Sequence, residues 1–321
     1  MTTTSERPAG LGQAQVRGVG PVVLATDGSA DAEVAMRAAG DVAMGAGVSL
    51  HVVSAWSTPV LMVPYGGFVA PDMGELYERE DRALVGEVAD RLARSGVGNP
   101  VRHPVAGRPA DAVLGCADDV DAGLIVMGSR GMGAVRRLVL GSVAEEVVCR
   151  AHRPVLVTRG GPNGWPPGRI IVGDDGSRIA TAAVVTAAAL GRALCIPVVV
   201  MTVLPRLREV EAGISAIPAE TAMRRARATV ADRVAALSDR TGIALEAMVG
   251  VGDAAATLID AAADQVPSLL VVGSRGLGAI GRMRHGSVSR KVIRAAETPV
   301  LVVPRADTCG GDGSQVADAR P

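Results

Sequence analysis

The sequence predicts an α/β protein made of two tandem open parallel-sheet domains with helices on both faces. Three observations lead there. The stretch Gly128-Ser129-Arg130-Gly131, then nine residues, then Gly141-Ser142, recurs as Gly273-Ser274-Arg275-Gly276, nine residues and Gly286-Ser287, at a constant offset of 145 (128 to 273, 141 to 286). Short apolar runs alternate with helical periodicity in the same order in both halves, as expected for buried parallel strands joined by right-handed crossovers. A length of 321 residues suits two domains of about 150 residues, each able to bury roughly two-thirds of its unfolded surface.

Residues 1–19 are small, polar and glycine-bearing, and read as a disordered tail. The first domain, 20–159, opens on the apolar run Pro21–Ala25, which stops at Thr26-Asp27-Gly28-Ser29. From Ala30 to about Gly45, Val34, Ala35, Ala38, Ala39 and Val42 fall at helical spacing. Val48–Val53 is a second strand, and a Pro- and Gly-rich loop (Pro59 to Pro71) leads to a long amphipathic helix near Leu76–Arg94. Val101–Val105 is a third strand, and Gly107-Arg108-Pro109 opens a helix through Ala117. Leu124–Met127 is continuously apolar and runs into the glycine loop; Gly141-Ser142 starts a helix to about Cys149, and Pro154–Thr158 closes the unit.

Residues 160–168, dense in Gly and Pro, form the linker. The second domain, 169–304, repeats the order: Ile170–Val172 leads to Asp174-Asp175-Gly176-Ser177, Val198–Val203 matches Leu50–Val53, Gly252-Asp253 matches Gly107-Arg108, Leu269–Val272 matches Leu124–Met127, and Pro299–Val303 matches Pro154–Thr158. Residues 305–321 read as a disordered tail.

Composition narrows the function. Basic and acidic residues balance at 33 each, so no global charge favours nucleic acid or an anionic membrane. Aromatic residues make up 2% of the chain, too few for a base-stacking surface. The four cysteines (Cys116, Cys149, Cys195, Cys309) lack metal-ligand spacing and read as reduced thiols. The start lacks the apolar core of a signal peptide, and no apolar run approaches the ~20 residues of a membrane span. The expectation is a cytoplasmic, soluble protein.

In open α/β sheets, ligands sit beyond the carboxyl ends of the strands, where the strand order reverses. Asp27 ends the first strand and Gly128 follows the fourth. Gly131 allows a turn and a close approach that a Cβ would obstruct. Gly141 and Ser142 stand at a helix start, where unpaired N–H groups and the helix dipole favour an anion such as phosphate. A lone glycine loop merely turns the chain, but recurrence of the whole spacing argues for two phosphate cradles. Asp27 and Asp175 can meet a ribose, base edge or metal ion, or cap the following helix in competition with Ser29 and Ser177. Arg130 and Arg275 can screen phosphate charge or stand in solvent.

Catalytic machinery is weakly represented. The single lysine, Lys291, lies away from the loops, so no Walker-type site exists, and neither a G-x-S-x-G elbow nor an H-E-x-x-H helix occurs. His51, His103 and His152 read as packing or surface residues, whereas His285 borders the second cradle.

With these residues in view, nearly all of 20–304 resembles the universal stress protein family in its tandem form, as found in actinobacteria. The resemblance rests on the two Asp-Gly-Ser strand endings, on Leu50-His51-Val52, on Met127–Gly131 with Gly141-Ser142-Val143, and on Pro154–Val157. In the second half Val272–Gly276, Gly286-Ser287-Val288 and Pro299–Val303 carry it. The resemblance implies a Rossmann-like, adenine nucleotide alpha hydrolase-like fold, and the G-x₂-G-x₉-G-[ST] spacing is that of ATP-binding members. Carried over by position, Asp27 and Val52 would meet the nucleoside, Met127 and Gly128 would line the pocket, and Gly131, Gly141, Ser142 and Val143 would surround the phosphates. The second set would be Asp175, Val203, Val272, Gly273, Gly276, Gly286, Ser287 and Val288. ATP or another adenine nucleotide would come with magnesium or manganese, through metal ligands that the sequence does not identify. The resemblance also implies pairing through the final strands, either between chains as a homodimer or between the two halves. The leading function is a non-catalytic nucleotide-dependent regulator of stress or growth with an unidentified protein partner; a slow ATPase and a ligand-free scaffold are the alternatives.

Two departures set expectations. Asp174 adds a carboxylate just before the motif Asp, which would weaken polyphosphate binding in the second pocket unless a cation or Arg offsets it. The strand Val200-Met201-Thr202-Val203 lacks the family's common His, which loosens the Val203 assignment.

Overall fold

The computed structural model describes residues 18–57, 61–63, 66–68, 73–131, 140–160, 164–205, 219–263, 266–274 and 286–305. In chain order the elements are β1 (Val22–Ala25), α1 (Ala30–Ala46), β2 (Leu50–Trp56), β3 (Leu61–Val63), β4 (Gly66–Phe68), α2 (Met73–Arg94), β5 (Val101–Ala106), α3 (Pro109–Asp119), β6 (Leu124–Gly128), α4 (Ser142–Arg150) and β7 (Val155–Thr158). The second half supplies β8 (Arg169–Gly173), α5 (Arg178–Leu194), β9 (Val198–Leu204), α6 (Ala219–Thr241), β10 (Leu245–Val251), α7 (Ala254–Ala262), β11 (Ser268–Gly273), α8 (Ser287–Ala295) and β12 (Val300–Val303). The short hairpin β3–β4 falls in the stretch that the sequence reads as a loop.

Each half is a five-stranded parallel sheet, ordered β5-β2-β1-β6-β7 and β10-β9-β8-β11-β12. The chain moves outward in one direction from β1 and in the other from β6, so the order reverses between those two strands. Their neighbours pair Val22 with Leu50 and Val22 with Leu124. In the second half Ile170 pairs with Val198 and Ile171 with Leu270.

The two halves share one sheet. β7 and β12 pair antiparallel, with Val157 opposite Val300, Leu156 opposite Leu301 and Val155 opposite Val302, giving ten continuous strands. Pairing through the final strands is therefore intrachain. Val155–Val157 and Val300–Val303 are all buried, which removes two apolar sheet edges from water at once.

Two apolar layers cover the sheet. On one face Leu24, Val52, Val126, Ile170 and Leu301 pack against residues of α1, α2, α5 and α6. On the other, Val23, Val53, Ile125, Ile171 and Val300 pack against α3, α4, α7 and α8. Strands buried on both faces explain the runs without alternation. At the seam, α1 meets α5 so closely that a Cβ on Gly45 would overlap the carbonyl of Ala193. Arg294 of α8 pairs with Glu145 of α4 at 2.5 Å, the buried Arg159 donates to the Ile293 carbonyl, and the linker's Trp165 indole donates to Asp41 at 2.7 Å.

Candidate functional site

At the reversal point of the first half lies a cavity of about 480 Å³, lined among others by Thr26, Asp27, Val53, Met127, Gly128, Arg130, Gly131, Gly141, Ser142 and Val143. It stands where the carboxyl ends of β1 and β6 diverge, as the open-sheet rule requires.

The Asp27 loop is shaped by its own backbone. Gly28 takes φ 75°, a left-handed conformation that glycine adopts without steric cost. The Asp27 carboxylate accepts the Ser29 N–H at 3.0 Å, while Ser29 Oγ accepts the Ala32 N–H at 3.3 Å. Ser29 is thus the cap of α1, and Asp27 is left facing the cavity. The other Asp27 oxygen lies against Gly131, where an added Cβ would collide with it. Glycine is needed here for close approach.

The loop then folds onto the α4 start. The Gly141 N–H donates to the Ser129 carbonyl at 2.7 Å. Gly141 is the N-cap of α4, with φ −65° and ψ 151° and no side-chain cap. The first intrahelical bond of α4 is Glu145 N–H to the Gly141 carbonyl at 2.9 Å. The N–H groups of Ser142, Val143 and Ala144 have no partner within the helix and, with its dipole, form an anion-receptive end.

Arg130 lines the cavity and is ion-paired rather than standing in solvent. Its guanidinium grips the buried carboxylate of Asp31 through Nε at 3.0 Å and a terminal nitrogen at 3.1 Å. Asp31, 5% exposed, also accepts Ser129 Oγ at 2.7 Å and the Gly160 N–H at 2.9 Å. Burial pulls its pKa upward, but bonds from Arg130, Ser129 and Gly160 outweigh this and hold it below the ordinary carboxylate value. Asp31 is a site residue that the sequence reading missed. An acidic residue in a first helical turn reads as a dipole partner, and nothing local announces a partner 99 positions away.

Val52 is placed differently from its expectation. It is fully buried on the α1 and α2 face, and Val53, one position on, lines the cavity. Successive strand side chains alternate between faces, so a one-residue shift changes layers.

The sequence profile of the universal stress protein family matches residues 18–159 and 167–304. The chain belongs to the universal stress protein family. It is 27% identical over 294 residues, 88% of its length, to a universal stress protein of Mycobacterium tuberculosis, 96% of which is covered. A universal stress protein of Thermus aquaticus is 38% identical over 138 residues, 43% of this chain and 97% of that one. A crystal structure of a universal stress protein from Archaeoglobus fulgidus aligns with TM-score 0.64 at 20% identity, covering 89% of this chain and 98% of that chain. A second, a putative universal stress protein from Pseudomonas aeruginosa, aligns at 0.62 and 14%, covering 90% and 94%. Both structures share the fold.

The second universal stress protein unit repeats much of this frame. Asp175 accepts the Ser177 N–H at 3.0 Å, Gly176 takes φ 81°, and Ser177 caps α5. Val272 and Gly273 end β11, and the Gly286 N–H donates to the Ser274 carbonyl at 2.7 Å, as Gly141 does to Ser129. Gly286, Ser287 and Val288 form the start of α8, with Gly286 as N-cap at φ −68° and ψ 159°. Gly276, Arg275, His285 and Cys309 lie outside the described residues.

The Val203 assignment shifts by register. β1 and β8 begin their pairings at Val22–Leu50 and Ile170–Val198, so the counterparts of Val52 and Val53 are Val200 and Met201. Val203 corresponds to Ala55. Continuous apolar runs leave the offset free, and the strand ladder fixes it.

Asp174 occupies the place of Thr26 and is bound by Arg233 of α6, Nε to Oδ2 at 2.5 Å and a terminal nitrogen to Oδ1 at 2.8 Å. In the first half the same layer holds Asp81 of α2, 7% exposed, with one oxygen lacking a hydrogen-bond partner among the described residues. Burial pushes its pKa up, and the Ser54 hydroxyl offsets this only in part. On the outer strands His51 Nδ1 lies 3.0 Å from His103 Nε2. Burial leads in lowering both histidine pKa values, joined for His51 by the charge of His103 and opposed for His103 by Asp119. Of the cysteines, Cys116, Cys149 and Cys195 are reduced thiols; burial pushes Cys116 up to about 11, so it stays an inert packing residue.

Proposed function

We propose that this universal stress protein is a non-catalytic regulator that binds adenine nucleotide, with ATP accompanied by magnesium or manganese as the working ligand. The observation that carries the reading is the meeting, in one cavity, of the open α4 N-terminus, a glycine loop pressed against Asp27, and an apolar wall.

The parts suit the parts of a nucleotide. Val53, Val113 and Met127 offer an apolar slot for a planar base, Asp27 offers an acceptor for a base edge or ribose hydroxyl, and the α4 amides face phosphate. A volume of about 480 Å³ lies within the usual range for small-molecule sites. A divalent cation takes oxygen donors, and the Asp27 carboxylate and Ser142 hydroxyl are the cavity's candidates beside the phosphates themselves. Bound cation would neutralise phosphate charge. The second unit is proposed to take the same ligand through Asp175, Gly273, Gly286, Ser287 and Val288.

Regulation follows if nucleotide prefers one of two conformations, because a ligand shifts an equilibrium only by its differential affinity. Stress or growth control is then exerted by occupancy, through a protein partner that reads it. Mass spectrometry of natively purified full-length protein tests the reading. Co-purifying ATP or AMP that disappears in Gly141→Leu supports it, and protein emerging nucleotide-free that also ignores added Mg·ATP contradicts it.

A further inference from the structure

One carboxylate holds the first glycine loop in place. Asp31 stands in the first turn of α1 and is 5% exposed, an environment in which a charge persists only when paired and hydrogen-bonded. Its Oδ2 takes Ser129 Oγ and Arg130 Nε, and its Oδ1 takes the Arg130 terminal nitrogen and the Gly160 N–H. Both side chains that follow Gly128 are therefore tied to the same group by charge-assisted bonds. The loop backbone is tied nearby, since Ser29 Oγ donates to the Arg130 carbonyl at 3.1 Å. The end of β7 joins in, as Thr158 Oγ1 donates to the Asp31 carbonyl at 3.2 Å.

The second half differs at this point. A Cβ added to Gly128 would meet Asp31, and one added to Gly273 would meet Ile179. Ile179 is thus the spatial counterpart of Asp31, and its side chain accepts no hydrogen bond. The loop serine recurs as Ser274, but the carboxylate that receives Ser129 does not.

We propose that Asp31 is a positioning residue for the first cavity: it orders the glycine loop before ligand arrives, and the second half lacks this anchor. The proposal rests on the nucleotide reading for its ligand. Ordering a loop in advance removes that entropic cost from binding, so loss of the anchor shows as weaker binding at one site.

The test uses the full-length chain and Asp31→Ala and Asp31→Asn, each also with Gly286→Leu to silence the second cradle. Mg·ATP is titrated calorimetrically, and amide exchange of Gly128–Gly131 is followed without ligand. Asp31→Ala should raise the first-site Kd at least about tenfold, and speed loop exchange by a similar factor, leaving the second site unchanged. Asp31→Asn keeps an acceptor for Ser129 but not the charge facing Arg130, and should fall between; it also stands in if the alanine variant fails to fold. An unchanged Kd with unchanged loop exchange overturns the proposal, as does equal loss at both sites, the mark of general destabilisation. If wild-type protein takes up no ATP, the nucleotide reading falls by itself, and loop exchange in the ligand-free variants still decides whether Asp31 is the anchor.

Discussion

Arg233 closes on Asp174 across the α6–β8 packing layer, joining it through two nitrogens while the Asp174 side chain is 1% exposed. This pair removes the electrostatic ground for expecting weaker binding in the second unit, because the extra carboxylate is already neutralised by an arginine. It also makes Arg233 structurally necessary. Removing one partner of a buried pair leaves an uncompensated charge, at about 3–5 kcal/mol, reduced here because Arg233 is a third exposed. Arg233→Met should therefore lower unfolding free energy by roughly 2–4 kcal/mol, read from urea denaturation. A loss below about 0.5 kcal/mol would show that the pair contributes no more than an exposed surface ion pair.

Gly131 is predicted to tolerate no side chain in the ligand-binding form. A Cβ would strike the Asp27 carboxylate, so Gly131→Val should weaken Mg·ATP binding by more than tenfold, with circular dichroism and melting temperature close to wild type. Near-normal affinity in a folded variant would mean that the loop does not close on Asp27.

The histidine pair gives the first unit an acid sensitivity. Burial lowers both His51 and His103 from the ordinary value of 6.5, so the unfolded chain binds more protons in this range. Stability then falls as pH drops below about 6.5 and keeps falling until the lower folded-state values are passed. The urea midpoint measured between pH 7.5 and 5 should decline, and His103→Gln should flatten the decline. Equal pH slopes for the two proteins would refute the assignment.

The seam between the halves depends on a residue without a side chain. Gly45 of α1 lies against the Ala193 carbonyl of α5, and forcing a side chain there should cost about 1–3 kcal/mol by overpacking. Gly45→Val should lower the calorimetric melting temperature, with little change in Mg·ATP affinity at the first cavity. A variant as stable as wild type would show that the helices separate freely.

Much of the fold is legible in the sequence, because fully buried strands announce themselves as apolar runs and Ser29 and Ser177 announce the helices they cap. The same buried strands hide their register. With both faces apolar, Leu50-His51-Val52-Val53 carries no alternation to say which valine faces the cavity, and Val198–Leu204 carries none to fix its offset. The cradle backbone is legible as a glycine spacing, since Gly131 and Gly141 answer to steric needs of the chain itself. Asp31 and Arg233 are not, because each acts through a partner far along the chain, and on their own helices both look like ordinary charged residues.

The glycine loop and the α4 N-terminus are proposed to form a nucleotide cradle. Calorimetric titration of Mg·ATP into the full-length protein tests it most directly, with Gly141→Leu and Gly286→Leu as single and double variants. Saturable binding is expected in the wild type, with partial loss in each single variant and full loss in the double. Absence of heat up to millimolar nucleotide in correctly folded wild-type protein, or full binding retained by the double variant, would contradict it.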